Sequence, residues 1–278
     1  MNTKNKKSIL ITGCSTGIGL CVAQALQIRG YRVFATARKD EDVAKLNAMG
    51  LESLQLDLDN SESIQMAVKE IFNRTDGKLD ALFNNGAYGQ AGAVEDISRD
   101  ALRQQFETNV LGWHELTNLV LPVMLKQGHG RIIQNSSVLG FVALKFRGAY
   151  SASKYAIEGL SDTLRQELIG TNVYVSLVEP GPIESQFREN SFAAYKKNIE
   201  KNKSRFKKEY EATEKRLGKK GAAVPFTLPP EAVLKRVIHA LESKKPKPRY
   251  YVTTPTYLFG YLKRFLSSRL MDKILDKI

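Results

Sequence analysis

The chain has 278 residues, of which 42% are hydrophobic and 26% charged, so it is long enough for one large α/β sheet and too apolar for a disordered protein. Its 42 Lys and Arg against 29 Asp and Glu give a net charge of +13, which favours anionic partners such as phosphates, nucleic acid or acidic lipid. Two cysteines and three scattered histidines exclude a disulfide framework and a histidine metal cluster, and no apolar run is long enough to cross a bilayer. We therefore expect a cytoplasmic protein.

Short apolar runs alternate with longer amphipathic stretches through the first 180 residues. The runs predict strands at 8–11, 32–35, 53–56, 79–83, 131–134 and 173–178. Between them, apolar residues at three- and four-residue steps predict helices, for example at 18–29, 61–74, 99–126 and 149–168. This alternation predicts an α/β fold with a doubly wound, Rossmann-like parallel sheet that has helices on both faces. In such sheets ligands bind beyond the carboxyl ends of the strands.

The pattern changes after residue 179. A Pro-Gly-Pro turn is followed by a Lys-rich stretch, 196–220, which holds eleven Lys or Arg and four Glu. Its apolar residues form a narrow helical stripe, which predicts a helical insertion lying over another part of the protein: Tyr195, Ile199, Phe206, Tyr210 and Leu217. A helix at 231–242, an edge strand at 249–252 and an amphipathic tail at 257–278 complete a single domain spanning 1–278.

A glycine-rich loop, residues 12–19, directly follows the first predicted strand and opens the first helix. Glycines in this position permit a tight turn and let backbone N–H groups and the helix N-terminus approach a pyrophosphate. A glycine-rich loop alone is a weak signal, but its place between strand and helix strengthens it. The candidate phosphate-binding residues are Gly13, Ser15, Thr16, Gly17, Ile18 and Gly19.

Arg38 stands at the end of the second predicted strand, where a dinucleotide-binding protein contacts the adenosine ribose. An acid there accepts hydrogen bonds from a free 2′-hydroxyl, whereas a guanidinium pairs with a 2′-phosphate. We therefore expect NADP(H) as the cofactor. The competing interpretation is that Arg38 only begins a solvated turn together with Lys39.

Tyr150 and Lys154 are four residues apart on a predicted helix, so their side chains share one face. A phenol is a poor acid at neutral pH, but a neighbouring ammonium group favours the phenolate and lowers the pKa of the phenol. Such a pair arises about once by chance in a Lys-rich chain, so its position after the fifth strand is what gives it weight.

Several motifs together resemble those of the short-chain dehydrogenase/reductase family, and the match covers almost the whole chain. They are the Thr-Gly-x-x-x-Gly-x-Gly loop at 12–19, Asn-Asn-Gly-Ala at 84–87, Asn-Val-x-Gly at 109–112, Ser137 thirteen positions before Tyr150, the Tyr-x-x-x-Lys pair, and Pro180-Gly181. The Ala-Thr-Ala-Arg sequence at 35–38 looks like the NADP-preferring branch with hydroxysteroid and retinol dehydrogenases and bacterial aldehyde reductases.

The resemblance implies a role for each matching residue. Tyr150 would exchange a proton with the substrate oxygen, and Ser137 would hold and polarise that oxygen. Lys154 would bind the nicotinamide ribose and tune Tyr150, and Asn109 would fix a water in a proton relay. The remaining implied cofactor contacts are Asp57 and Leu58 at the adenine, Asn85 and Gly86 at its ribose, and Pro180, Gly181 and Ile183 at the nicotinamide.

In this family the segment after the sixth strand covers the substrate, so the insertion at about 184–224 is predicted to be a substrate lid. Its aromatic stripe, with Tyr88, Phe141, Leu144 and Phe146, would line an apolar pocket, so we expect a lipophilic aldehyde or ketone, or the matching alcohol, as substrate. The alternative function is a catalytically silent NADP-binding redox sensor or scaffold. A nucleic-acid-binding module is a third candidate, but no motif of that class is present, so no nucleic-acid partner is expected.

The lid lysines have two interpretations, a solvated helix face or a contact with an anionic membrane. The tail has apolar residues on one face and Lys and Arg elsewhere, which fits peripheral membrane contact, docking on the protein body, or docking on a second subunit. A homo-oligomer, dimer or tetramer, is expected from the resemblance.

Overall fold

The computed structural model describes residues 6–219, 221 and 224–278, so Lys220, Ala222 and Ala223 of the predicted lid lie outside the described residues. Its centre is a seven-stranded, wholly parallel sheet in the order β3-β2-β1-β4-β5-β6-β7. The strands are β1 (Ser8–Ile11), β2 (Arg32–Ala37), β3 (Glu52–Gln55), β4 (Ala81–Asn84), β5 (Gly130–Asn135), β6 (Val173–Glu179) and β7 (Arg249–Tyr251). This confirms the predicted fold class.

Eleven α-helices lie in the described residues. They are α1 (Gly17–Ile28), α2 (Asp40–Ala48), α3 (Ser61–Arg74), α4 (Arg99–Phe106), α5 (Gly112–Lys126), α6 (Gly148–Glu167), α7 (Phe187–Asn198), α8 (Lys207–Leu217), α9 (Glu231–Glu242), α10 (Thr254–Phe265) and α11 (Ser268–Leu275). None of these helices is long and apolar enough to cross a membrane.

Two apolar clusters cover the two faces of the sheet. On one face α1 and α9 contribute Val22, Leu26, Val233 and Val237. On the other face α3, α5 and α6 contribute residues such as Trp113, Leu116 and Ile157. Because helices cover both faces, β1 is buried at every position, and three of its four residues, Ile9, Leu10 and Ile11, are apolar.

The strand order reverses between β1 and β4, since the chain runs outward from β1 to β3 and then returns to the other side of β1. The loops after β1 and β4 diverge there, which opens the crevice that binds ligands in sheets of this kind. The predicted glycine-rich loop and the predicted Asn85-Gly86 element occupy these two loops.

The structure differs from the sequence-based elements in three places. Helix α2 was not predicted, because its sequence is mostly polar. Leu46 is its one buried residue, so the sequence shows no clear helical repeat of apolar residues. The helix predicted at 99–126 is α4 and α5 joined by a π-helical turn, Glu107–Leu111. The insertion and the tail are each two helices, α7 with α8 and α10 with α11.

The insertion has a small core of its own. Tyr195, Ile199, Tyr210 and Leu217 are buried against Ala91 and Ala93, with Phe146, Phe192 and Phe206 partly buried around them. The predicted apolar stripe therefore faces inward. The Tyr210 hydroxyl donates to Asp96 Oδ2 at 2.5 Å and accepts from the Ala93 N–H at 2.9 Å, which holds α8 to the loop after β4.

Candidate active site

The glycine-rich loop closes on the loop after β4. Gly13 and Gly17 have φ of +69° and +58°, a conformation that L side chains rarely adopt. A Cβ on Gly13 would lie 2.5 Å from the Gly86 Cα, and a Cβ on Gly19 would lie 2.2 Å from the Gly13 carbonyl oxygen. The Thr12 hydroxyl accepts from the N–H groups of Asn85 and Gly86, each at 2.9 Å. Only glycine fits at positions 13, 17 and 19.

The start of α1 is suited to an anion. Thr16 precedes the helix without a side-chain hydrogen bond to it, and Ser15 is exposed beside partly exposed Thr16 and Ile18. Backbone N–H groups at a helix start carry partial positive charge and bind phosphate. Ser185 lies next to this loop, since its Cβ is 3.0 Å from where a Cβ on Gly17 would be. The observed cradle fits a dinucleotide pyrophosphate.

The residues predicted to contact the adenosine follow β2, β3 and β4. Arg38 is exposed, and its guanidinium makes no hydrogen bond or ion pair with the described part of the chain. The Asp57 carboxylate accepts from the Asp59 N–H at 3.2 Å. Leu58 is buried, and its Cδ1 lies 3.1 Å from where a Cβ on Gly86 would be, so there is little room beside Gly86.

Tyr150 lies in the first turn of α6, close to Ser137, which follows β5. Burial raises the pKa of the Tyr150 phenol to about 12, although the neighbouring Ser137 hydroxyl and the positive charge of Arg147 both work to lower it. Ser137 Oγ also accepts from the Leu139 N–H at 3.1 Å, so its orientation is fixed. The phenol therefore holds its proton at neutral pH.

Lys154 is fully buried beneath Tyr150. Its Nζ donates to the Asn135 carbonyl oxygen at 2.8 Å and lies 4.1 Å from the centre of the Trp113 ring and 5.7 Å from that of Tyr150. Burial lowers the pKa of the ammonium to about 7, while Glu158 works to raise it. The expectation that Lys154 lowers the Tyr150 pKa is wrong for this structure, because desolvation dominates both groups.

Asn109 lies in the π-helical turn and is completely buried. Its Nδ2 donates to the Tyr88 carbonyl oxygen at 2.9 Å and to Ser153 Oγ at 3.1 Å, and its Oδ1 accepts from the Tyr88 N–H at 3.2 Å. A π-turn inserts one residue into a helix and often marks a functional position. Here it turns the Asn109 amide towards the helix that carries Tyr150.

The loop after β6 forms the other side of the crevice. The Pro180 carbonyl oxygen accepts from the Val138 N–H at 2.8 Å, which holds this loop beside Ser137. A Cβ on Gly181 would lie 2.1 Å from Thr253 Oγ1, so glycine is required there. Ile183 forms a short parallel bridge with Leu228. The structure thus brings the three predicted nicotinamide contacts, Ser137 and Tyr150 to one edge of the sheet.

Comparison with known proteins decides the family. Residues 7–196, more than half of the chain, match the family model described as short chain dehydrogenase. The chain is a short-chain dehydrogenase. As a member of that family it is an oxidoreductase, which confirms the resemblance and the broad enzyme class inferred from the motifs.

Three similar proteins illustrate the range of this short-chain dehydrogenase's relatives. An uncharacterized oxidoreductase, YbbO, of Escherichia coli strain K12 is 45% identical over 98% of this chain and 94% of its own. Human 17-beta-hydroxysteroid dehydrogenase type 1 is 33% identical over 88% of this chain and 77% of its own. The crystal structure of a short-chain dehydrogenase from Streptomyces avermitilis has a TM-score of 0.76 and 26% identity, covering 98% of this chain and 97% of its own.

Some residues of this short-chain dehydrogenase's site were not found by sequence reasoning. Trp113, the one tryptophan in the chain, donates from Nε1 to the Gly86 carbonyl oxygen at 2.8 Å and also supports Lys154. Asn135 Nδ2 donates to Asn85 Oδ1 at 2.9 Å, which joins the ends of β5 and β4. The signal that could have identified Asn135 from the sequence was its position at the carboxyl end of a predicted strand.

The aromatic residue against Tyr150 is Phe187, at 5.2 Å between ring centres. The residues predicted as apolar walls are placed differently. Phe146 contacts Phe206 and Tyr210 in the core of the insertion, and Phe141 stacks on Tyr251. Residue spacing gave no indication of these contacts because they join distant parts of the chain.

Proposed function

We propose that this short-chain dehydrogenase is an NADP(H)-dependent enzyme that interconverts a lipophilic aldehyde or ketone and its alcohol, with Tyr150 as general acid and base. The observation that carries the proposal is the convergence of Ser137, Tyr150, Lys154 and Asn109 beside the glycine cradle. NADP(H) supplies the hydride; the chain's own residues bind the carbonyl and supply the proton.

The protonation states favour reduction at neutral pH. A Tyr150 phenol with a pKa of about 12 holds a proton that it can donate to the alkoxide formed from the carbonyl, a far stronger base. We propose that the Ser137 hydroxyl, which neighbours Tyr150, donates a hydrogen bond to that same oxygen as charge develops on it. Lys154, with a pKa of about 7, can then return a proton towards Tyr150, and Asn109 is proposed to hold the water that completes the relay.

The nucleotide preference rests on Arg38. Its exposed guanidinium, which has no ion pair among the described residues, lies just after β2 and fits a 2′-phosphate, and no carboxylate directly follows β2 to accept from a 2′-hydroxyl. The proposed contacts to the rest of the cofactor are Gly13, Ser15, Thr16, Gly17, Ile18 and Gly19 at the pyrophosphate, Asp57, Leu58, Asn85 and Gly86 at the adenosine, and Pro180, Gly181 and Ile183 at the nicotinamide.

The proposed substrate class rests on the surroundings of Tyr150. The Phe187 ring lies against the phenol, and α7 and α8 cover that side of the sheet's edge with an apolar cluster. A steroid dehydrogenase among the relatives is consistent with a lipophilic substrate. We propose that residues 184–224 are the substrate lid of a single domain spanning 1–278.

Three expectations stay predictions: contact with a membrane, association with a second copy of the chain, and a cytoplasmic location. The tail, residues 257–278, supports a contact surface, because Leu258, Tyr261 and Phe265 of α10 are 53%, 57% and 82% exposed on one helix face. The lid lysines are mostly exposed, which fits the solvated interpretation of that stretch.

The test is NADPH oxidation with medium-chain aldehydes, retinal and steroid ketones as substrates. We expect Tyr150→Phe to lower turnover by about 10²- to 10⁴-fold, the usual contribution of a general acid, while NADPH binding is retained. Tyr155→Phe is the matched control, since Tyr155 is 40% exposed on the same helix. Undiminished turnover in Tyr150→Phe would contradict its role. NADPH binding by the wild type without turnover of any carbonyl would favour the silent redox sensor or scaffold.

A further inference from the structure

Three arginines from three different elements converge on the lid side of Tyr150. Arg147 immediately precedes α6, with Tyr150 three residues further on. Arg188 is the second residue of α7 and follows Phe187, whose ring contacts Tyr150. Arg216 is in the last turn of α8. All three side chains are partly buried.

Contacts between the elements hold these arginines together. Phe146, the neighbour of Arg147, packs its ring 5.6 Å from that of Tyr210 on α8. Arg188 Nη2 donates to the carbonyl oxygen of Lys219 and, at 2.8 Å, to that of Gly221, both just beyond the end of α8. Arg216 is close enough to Arg147 and Arg188 for both positive charges to lower its pKa, which burial and this repulsion bring to about 10.

The three guanidinium groups have no anionic partner in the described part of the chain. The guanidinium groups of Arg147 and Arg216 make no hydrogen bond, ion pair or aromatic stacking contact there, and the guanidinium of Arg188 donates only to backbone carbonyls and has a buried Nε without a partner in that part of the chain. The residues outside the described ranges, 1–5, 220, 222 and 223, include no acid. By contrast, partly buried Arg249 bonds three carboxylates.

Like charges held together and partly removed from water, without a counterion, are unfavourable in the protein alone. An oxyanion would relieve both the repulsion and the lost hydration. The guanidinium group is also the cation whose planar set of donors matches carboxylate and phosphate oxygens. The arrangement is therefore better explained by a ligand than by the stability of the fold.

We propose that Arg147, Arg188 and Arg216 bind an anionic group of the substrate, a carboxylate or phosphate that lies beyond the carbonyl facing Tyr150. The inference deepens the proposed function and rests on it: the substrate is an apolar carbonyl compound with an acidic group. The cluster lies with the lid, whereas the cradle for the cofactor's pyrophosphate lies between β1 and α1. A neutral analogue would leave the guanidinium groups unpaired, which gives the site its selectivity.

The first test compares aliphatic aldehydes that end in a carboxylate with their methyl esters, over a series of chain lengths with saturating NADPH and constant ionic strength. At the best length we expect the acid to have a kcat/KM at least about tenfold above that of its ester. Arg216→Met should abolish this preference by raising the KM of the acid to that of the ester. Lys215→Met, its exposed neighbour on α8, is the matched control and should keep the preference.

A second measurement does not depend on turnover. With saturating NADPH present, so that the cofactor's own phosphate sites are filled, inorganic phosphate should raise the thermal unfolding midpoint of the wild type and of Lys215→Met, but not that of Arg216→Met. Without phosphate, Arg216→Met should be at least as stable as the wild type, because it removes a partly buried charge without a partner. Arg216→Lys keeps a charge and should retain part of the phosphate effect.

Equal kcat/KM for acid and ester at every length would overturn the proposal, as would a phosphate response that Arg216→Met leaves intact. A loss of NADPH affinity in Arg216→Met as large as the loss of acid kcat/KM would also overturn it, since the anion bound would then be the cofactor's. Stabilisation by phosphate without any preference for acids would overturn the substrate assignment. If no carbonyl is turned over at all, the proposed function fails, and the phosphate measurement alone decides whether the arginines bind an anion.

Discussion

Glu179 ends β6 with no exposed surface, and its carboxyl group belongs to a crowded set of acids. Arg249 Nη1 donates to Glu179 Oε1 at 2.5 Å and also to Glu158, and its Nη2 donates to Asp162 Oδ2 at 2.5 Å. One guanidinium group therefore faces three carboxyl groups and neutralises one charge. Burial and the neighbouring Glu158 raise the pKa of Glu179 from 4.5 to about 8, although Arg249 works to lower it.

A carboxyl group whose pKa is higher in the folded than in the unfolded protein stabilises the fold only while it is protonated. This contribution is complete below about pH 4.5 and is lost as pH rises towards 8. A shift of this size corresponds to at most about 5 kcal/mol, and relaxation and water entry reduce it, so we expect about 2–5 kcal/mol. Glu179→Gln replaces the protonated acid with a neutral group of the same shape.

The assay is urea unfolding at pH 5, 7 and 9. We expect Glu179→Gln to match the wild type at pH 5 and to exceed its free energy of unfolding by about 2–5 kcal/mol at pH 9. Glu184→Gln, at an exposed carboxyl group five residues away, should follow the wild type throughout. If Glu179→Gln is the less stable protein at pH 9, Glu179 is an ionised partner of Arg249 and the reasoning is refuted.

Three further substitutions test the cofactor site and its support. Arg38→Asp should lower the ratio of kcat/KM for NADPH over NADH by at least about tenfold, because it removes a partner of the 2′-phosphate; an unchanged ratio would contradict the assignment. Gly19→Ala should abolish NADPH binding in a fluorescence titration, because its Cβ would lie 2.2 Å from the Gly13 carbonyl oxygen, whereas Gly159→Ala, with open space around it, should bind normally. Asn109→Leu should lower the free energy of unfolding in urea by about 1–3 kcal/mol, since the backbone groups it bonds are left unpaired; a smaller loss would mean that water replaces the amide.

The fold class and the loops where chemistry should be sought were predictable from the amino-acid sequence. Parallel strands buried on both faces need mostly apolar residues, and this run predicted β1 with the bounds that the structure has. Apolar residues at three- and four-residue steps predicted α3 with its observed bounds. The glycine loop and the Tyr150–Lys154 pair were also visible, because their geometry depends on neighbours within a few residues. Spacing along the sequence is sufficient to predict such a geometry, because a single loop or one turn of helix sets the positions of the groups.

The electrostatics of the site could not be predicted without the packing of the whole chain. The pKa values of Tyr150 and Lys154 follow from burial by distant segments, which reversed the shift expected for the phenol from helix spacing alone. The convergence of Arg147, Arg188 and Arg216 likewise depends on how α7 and α8 pack on each other and on the loop after β4. Desolvation and the repulsion of like charges are set by every neighbouring group in space, and residues far apart in the chain supply most of those neighbours.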